Sequence, residues 1–575
     1  MRVDKAVLKY QNRIVEIPVG EKIFEEDLYV DFSVENINKG QRLQLTIHPK
    51  KTIKIDYLAI ELYHPYQPNE RIFCNGFQSW TETREFRPDE KIVPIRPIVQ
   101  KRFGTFGDYD FCEYPNREGC LHSWTYTYIR QCDNATMQQC DNVVLLGSLN
   151  EFTGYTLFRH EASKDELYIE KDCAGLELDH SYPALDIFIG KGTEKQQFDN
   201  YFKLANISPP KAKPIIGWTS WYHYYTNISE QIILDNLAAF TKQQLAIDIF
   251  QIDDGYARRM GDWLSIKPNF PNGMSYISRK IHEENYKAGL WLAPFICEKK
   301  SALFKQHPDW ILKDRDGKPV RAGWNPLWSG WFYALDFYNQ NVQNYLINVL
   351  NTVLQKWNYD MVKLDFLYAV ALAPPPNKTR GQVMHEAMSF LRNIVGNKLI
   401  LGCGVPLGSS FGLVDYCRIG ADVHLRWEHQ LLKWLRGRER VSTILSLQNT
   451  LSRWQLDGRA FYNDPDVFIL RKSKQKLTHE QQYTLFLINV LLGSVIFTSD
   501  NVSEYSEETW EMYERVLKWK DSQVKSVIDD DDFYEIHFTH KNEAYVAYCN
   551  LSDKNRVGKG VEMMPFQSQV RKREL

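Results

Sequence analysis

The strongest constraint on the fold is a change of rhythm at about residue 215. From there onward, short apolar runs alternate with amphipathic stretches of helical period. The runs are IIGWTSW (215–221), IDIFQID (247–253), GLWLAPF (289–295) and FYALDF (332–337), then DMVKLDF (360–366), KLILGCG (398–404), YCRIGAD (416–422) and VFILR (467–471). Each reads as a buried strand. SEQIILDNLAAFTKQQ (229–244) and NVQNYLINVLNTVLQKW (341–357) read as helices between them, and HEQQYTLFLINVLLG (479–493) as an eighth helix. Eight strands separated mainly by helices predict an α/β fold, a (β/α)8 TIM barrel.

The flanks follow a different pattern. Up to about residue 205, alternating β-branched runs such as LYVDFSVENI and IDYLAIELYH predict an N-terminal antiparallel β-sandwich. NISPPKAKP (206–214) reads as a linker, and DDFYEIHFTHK and EAYVAYCNLS predict a small C-terminal β-domain. The expected division is therefore 1–208 for the sandwich, 209–514 for the barrel and 515–575 for the C-terminal domain.

At 575 residues the chain exceeds what one core usually supports, in keeping with several domains. A net charge of −2 gives no electrostatic reason to expect nucleic acid or membrane as a partner. The first residues show no apolar signal segment, and the ten cysteines show neither a CxxC pair nor zinc-ligand spacing. The expectation is a cytoplasmic protein with reduced thiols, no metal and no cofactor, with homo-oligomerisation left open. Eight of the 16 tryptophans lie between Trp218 and Trp331. Such density suits sugar-ring recognition and a Trp-rich core equally.

In a barrel of this kind, chemistry sits at the C-terminal strand ends. Those ends carry Trp221 and Tyr222, then Asp253 and Asp254, Asp336, Lys363 and Asp365, Cys403, and finally Arg418 and Asp422. Burying carboxylates is costly unless they are paired or titrated, so their concentration there points to a site. A helix N-cap is the simpler account of Asp336. Residues 363 and 365 share a strand face by the period of two. Lys363 is thus expected to hold Asp365 ionised, while Asp422, after an Ile-Gly-Ala run and tempered by Arg418, is the candidate to carry a proton. Two such carboxyl groups are what glycoside hydrolysis needs. A Mg²⁺ site from Asp253, Asp254 and Asp365 is the competing chemistry, and Lys363 argues against it. No Gly-x-Ser-x-Gly elbow or complete dinucleotide fingerprint is present, and Cys403 is either a site-lining thiol or a core residue.

These motifs resemble glycoside hydrolase family 36, the retaining α-galactosidases. The resemblance runs in order through GWTSWYHYY (217–225), FQIDDGY (250–256), GDW (261–263), GLWLAPF (289–295), HPDW (307–310), YALD (333–336), KLDFLY (363–368), LGCGVPLG (401–408), RIGAD (418–422) and NDPD (463–466). NGFQSW (75–80) extends it into the N-terminal region. KLD and GCGVP stand where many larger members have KWD and a CSGGG-type run, a pattern of the shorter bacterial subgroup.

The resemblance implies that Asp365 is the nucleophile and Asp422 the general acid/base, facing each other across about 5–6 Å. It implies that Asp253 and Asp254 accept from the O4 and O6 hydroxyls and that Lys363 supports the ring hydroxyls and Asp365. Trp80 would wall the site from the N-terminal domain. Trp221, Tyr222 and Trp291 would line the pocket, with Cys403 and Arg418 near O2 and the acid/base. The expected substrate is an oligosaccharide ending in α-galactose. The alternatives are an α-N-acetylgalactosaminidase, since recognition at O2 is open, a transglycosylase, or a non-catalytic sugar-binding barrel. The Trp-rich insert AGWNPLWSGWF (322–332) is longer than its counterparts in the smaller members and is placed to shape an aglycone site.

Overall fold

The computed structural model describes every residue except 98, 100–106, 132–141, 559 and 574–575. The chain forms two compact units. One contains Met1–Ser208 with Val370–Phe390 and Pro406–Leu413; the other contains Pro209–Ala369, Leu391–Val405 and Val414–Leu575.

The first unit is built on two antiparallel sheets. In strand Ile53–Tyr63 the period of two turns Ile53 and Ile55 inward while Lys54 and Asp56 face out. Leu8, Ile60, Leu62 and Phe158 from one sheet join Val30, Leu45, Ile47 and Ile187 from the other in a single buried cluster. At about 1.5–3 kcal/mol per large apolar side chain, this shared core makes the pair a sandwich. Helix Glu194–Leu204 turns Phe198, Tyr201 and Phe202 inward. The Tyr201 hydroxyl donates to the Ser148 carbonyl at 2.8 Å. Gly147 admits that ring, because a Cβ there would lie 2.5 Å from it. Two segments that follow barrel strands in sequence also belong to this unit: Arg380 pairs with Asp172, and the Thr379 hydroxyl donates to the Thr153 carbonyl at 2.9 Å.

The second unit holds the parallel sheet. Its strands are β1 (Ile215–Thr219), β2 (Ile249–Ile252), β3 (Lys287–Leu292), β4 (Met361–Leu364), β5 (Leu399–Gly402), β6 (Tyr416–Arg418), β7 (Tyr462–Asp464), β8 (Val467–Phe468) and β9 (Val495–Thr498). Each of β1 to β6 pairs in parallel with the next, β6 pairs with β7, and β9 pairs with both β1 and β8. β7 and β8 are two halves of one strand position bent at Pro465, the first half on β6 and the second on β9. The Ser494 N–H donates to the Asn463 carbonyl at 3.0 Å across this bend. The sheet thus forms the expected eight-position barrel.

Two strand assignments need correction. FYALDF is not a barrel strand: Gly330–Ala334 pairs antiparallel with Ile296–Glu298 and Arg321–Asn325 in a separate three-stranded sheet. β4 follows β3 directly, with Trp291 beside Lys363 in register. Asp336 therefore stands at no barrel strand end, and its Oδ1 accepts the Tyr338 N–H at 3.0 Å in a turn. The missing strand is β9. The segment His479–Leu492 is the helix before it, not the eighth helix, which is Glu507–Leu517.

Beyond that helix, Gln523–Asp530, Phe533–His540, Glu543–Asn550 and Ser568–Lys572 form a four-stranded antiparallel sheet in the second unit. Thr484 of helix His479–Leu492 holds its last strand through Ser568 Oγ at 2.7 Å. Among the described residues no helix is long and apolar enough to cross a membrane.

Candidate active site

The C-terminal ends of the barrel strands carry a continuous polar network. β4 ends at Leu364, so Asp365 is the first residue beyond the pleat, anchored by its N–H to the Leu292 carbonyl at 2.8 Å. Its Oδ2 accepts the Trp291 indole N–H at 3.0 Å, and its Oδ1 accepts the Phe366 N–H at 2.8 Å. The Cys403 thiol adds a further hydrogen bond. Phe366 takes a left-handed φ of 53°, a conformation that costs a non-glycine residue about 1–2 kcal/mol. Packing offsets this, since the Phe366 ring lies against Trp328 and Phe332 with centroids 5.4 and 5.3 Å away. Trp291 is itself wedged edge-on against Trp263 at 5.8 Å. The carboxyl group therefore has little freedom to turn.

Burial raises the Asp365 carboxyl above the usual carboxylate range, while Lys363 and the Trp291 N–H oppose the rise and Asp422 adds to it. The direct partner of Lys363 is not Asp365. Its Nζ donates to Asp253 Oδ2 at 2.8 Å, and both side chains are buried. Burial alone would lower the lysine, but the Asp253 charge outweighs it and holds the ammonium protonated. Gln251 bridges the Asp253 Oδ2 at 2.9 Å and the Thr219 hydroxyl at 3.0 Å. The Lys363 ammonium already neutralises Asp253, which disfavours the metal alternative.

The neighbouring Asp254 differs sharply. Its Oδ2 accepts the Trp328 indole N–H at 2.9 Å. Burial pushes its carboxyl up to about 6, partly opposed by that bond and reinforced by Asp253. Two adjacent carboxyl groups thus have unlike environments, one neutralised by an ammonium and one facing neutral donors.

A second cluster surrounds Arg418 at the end of β6. Its guanidinium reaches Asp422 Oδ1 at 2.8 Å, Asp464 Oδ2 at 3.1 Å and Asp466 Oδ1 at 2.8 Å. Asp464 and Asp466 are fully buried, whereas the Asp422 side chain is 35% exposed and so remains reachable. Asp466 Oδ2 accepts the Tyr222 hydroxyl and, at 2.7 Å, the Val423 N–H. Three carboxyl groups share one cation. Burial, opposed by Arg418 and reinforced by Asp422 and Asp464, pushes Asp466 up to about 7. The carboxyl group raised in this cluster is that of Asp466, a residue absent from the candidates read from the sequence.

The sign of its effect on stability follows. An unfolded aspartate releases its proton near 3.9, so between about pH 4 and 7 the folded chain holds a proton that the unfolded chain has lost. Stability contributed by this site therefore falls as pH rises through that window. Asp466→Asn cannot ionise. The difference in thermal midpoint, variant minus wild type, should be more favourable at pH 8 than at pH 5; an equal difference at both would show that Asp466 does not titrate late.

Of the expected site residues, Asp253, Asp254, Trp291, Lys363, Asp365, Cys403, Arg418, Asp422 and Tyr222 join these two clusters. Trp221 follows β1 half-buried, its ring edge-on to Tyr225 at 5.2 Å. Trp80 belongs to the other unit, half-buried in the loop before Arg84–Phe86. Sequence reasoning missed Gln251, Trp328, Asp464 and Asp466. Trp328 lies in the Trp-rich insert and both aspartates in NDPD, so the motifs were visible but their contacts were not.

Residues 190–397 match the Melibiase family model. α-Galactosidase 1 of Pediococcus pentosaceus is 28% identical over 189 residues, 30% of this chain and 24% of that protein. The A type blood α-D-galactosamine galactosaminidase of Flavonifractor plautii is 30% identical over 220 residues, 34% of this chain and 20% of that protein. The chain thus matches about a quarter or less of the length of these curated relatives. The solved α-galactosidase TtGalA of Thermus thermophilus, in complex with p-nitrophenyl α-D-galactopyranoside, superposes with a TM-score of 0.72 at 27% identity, covering 91% of this chain and 98% of that one. AgaA of Geobacillus stearothermophilus, a GH36 α-galactosidase, shares the fold with a TM-score of 0.62 at 13% identity, covering 95% and 81%. The chain carries a melibiase-family domain on the fold of the glycoside hydrolase family 36 α-galactosidases.

Proposed function

We propose that the chain is an exo-acting α-galactosidase that removes terminal α-linked galactose from oligosaccharides by retaining double displacement. Asp365 attacks the anomeric carbon and forms a β-galactosyl-enzyme, while Asp422 protonates the departing oxygen and then activates water. The observation that carries the reading is the contrast between two carboxyl groups that follow β4 and β6, strands separated only by β5. Asp365 is buried and fixed by Trp291, Cys403 and the Phe366 N–H, as a nucleophile with one line of attack must be. Asp422 is partly exposed, as a group that exchanges protons with leaving group and water must be, and Arg418 fixes the position of its side chain. Lys363 and the three hydrogen bonds favour the ionised form of Asp365 and offset part of its burial.

Specificity follows from the Asp253–Asp254 pair. A sugar whose C4 hydroxyl points away forfeits charge-assisted hydrogen bonds to these buried carboxyl groups and is rejected strongly. TtGalA has also been solved with stachyose, an oligosaccharide substrate class that suits this reading. The second reading is an α-N-acetylgalactosaminidase; a relative named for a galactosamine shows that C2 substituents occur among similar proteins.

Hydrolysis of p-nitrophenyl glycosides differing only at C2 and C4 separates the two. The α-galactoside should exceed the α-glucoside by at least about 10³-fold in kcat/KM, and it should also exceed the α-N-acetylgalactosaminide. Faster release from the acetamido sugar would select the second reading. Product first released as the β-anomer would end the retaining mechanism.

A further inference from the structure

Outside the barrel, the N-terminal unit brings three unlike side chains to one point. Asp108, Cys112 and His122 present a carboxylate oxygen, a sulfur and a ring nitrogen that all lie within 4.8 Å of one another. Asp108 opens a single 3₁₀ turn, Cys112 follows it, and His122 lies in strand Cys120–Trp124. The spacing, three residues and then nine, matches no zinc pattern, so the cluster is invisible in the sequence.

Hydrogen bonding alone serves the three atoms unequally. Asp108 Oδ2 lies 2.9 Å and Cys112 Sγ 3.5 Å from the same atom, His122 Nε2. A neutral imidazole nitrogen offers either one hydrogen or one lone pair. If Nε2–H points at Asp108, the sulfur can only share that hydrogen as a weak acceptor; if Nε2 accepts from the thiol, the carboxylate faces a lone pair. A catalytic Cys–His–Asp relay is excluded as well, because it needs the thiol and the carboxylate on opposite ring nitrogens.

A cation at the centre satisfies all three atoms together. With Zn–S near 2.3 Å and Zn–N near 2.0–2.1 Å, the S···N edge of a tetrahedron is about 3.5 Å, which is the observed separation. The N···O edge should be about 3.3 Å, so Asp108 needs to withdraw by only a few tenths of an ångström. Two further features suit a metal site. Tyr114 donates to the other Asp108 oxygen and packs edge-on to the His122 ring at 5.1 Å, holding two ligands in place as outer-shell residues do. Asp108 and His122 are buried while Cys112 is half-exposed, which leaves a path for entry.

We propose that Asp108, Cys112 and His122 bind a divalent cation of the zinc class, with water as the fourth ligand. The ion would tie the 108–112 turn to strand Cys120–Trp124 and stabilise the unit, apart from the chemistry of the barrel.

The test uses the full-length chain, stripped with a chelator and titrated with Co²⁺ and then Zn²⁺. The wild type should take up one equivalent of Co²⁺ with tetrahedral d–d bands and a thiolate-to-cobalt charge-transfer band. Zn²⁺ should displace it and raise the thermal midpoint. Cys112→Ser should lose the charge-transfer band, and His122→Asn should lose stoichiometric uptake, whereas Asp365→Ala should bind as wild type does. Failure of the stripped wild type to bind either ion overturns the proposal whatever the variants do. So does a charge-transfer band that survives Cys112→Ser.

Discussion

Asp365→Ala is expected to lower kcat/KM toward α-galactosides by at least about 10³-fold, with azide restoring turnover as β-galactosyl azide. The side chain is buried and accepts from Trp291 and Phe366, so its removal deletes the attacking oxygen and leaves a cavity behind a sugar-binding face. Azide is small enough for that cavity and would approach the anomeric carbon from the side the carboxylate occupied, inverting it once. The loss should fall on kcat far more than on KM, because Asp253, Asp254 and Lys363 are untouched. Loss with no rescue by any small anion would leave Asp365 a structural residue. Rescue giving the α-azide would place the nucleophile elsewhere.

The barrel is legible in the sequence because its strands are buried on both faces and each ends in polar residues. IIGWT, for instance, is buried at every position and leads into Trp221 and Tyr222. FYALDF misleads because local pattern does not reveal partners. Its apolar run ending in aspartate looks like a barrel strand, yet it pairs antiparallel in the three-stranded sheet. β9 is hidden because only Gly493 and Ser494 separate it from an apolar helix, so helix and strand merge into one run.

The site shows the same limit. The period of two places Lys363 and Asp365 on one face, but the strand ends between them, and the lysine turns to Asp253, 110 residues away in sequence. Likewise the sequence assigns the late-titrating proton to Asp422 from its apolar neighbours. The structure adds a raised carboxyl at Asp466, 44 residues further on, because Arg418 gathers three carboxyl groups from two strand ends. Charges that meet only through the barrel's closure cannot be read from spacing.

That cluster shapes the second large effect. Asp422→Ala should lower kcat/KM by about 10²–10⁴-fold for substrates with poor leaving groups, the usual worth of a positioned general acid. For p-nitrophenyl α-galactoside the first step should be nearly unimpaired, since that leaving group departs without a proton. Hydrolysis of the galactosyl-enzyme would then become slow, and a burst of nitrophenol should precede a low steady rate. Azide should accelerate that second step and give α-galactosyl azide, because it attacks the covalent intermediate rather than the substrate. The opposite anomer from the Asp365 variant is the decisive contrast: one residue gone leaves a single inversion, the other leaves two. Arg418 keeps Asp464 and Asp466 as partners when Asp422 is removed, so the cluster stays paired and the fold should hold. Equal losses for good and poor leaving groups, with no burst, would assign the proton to another group.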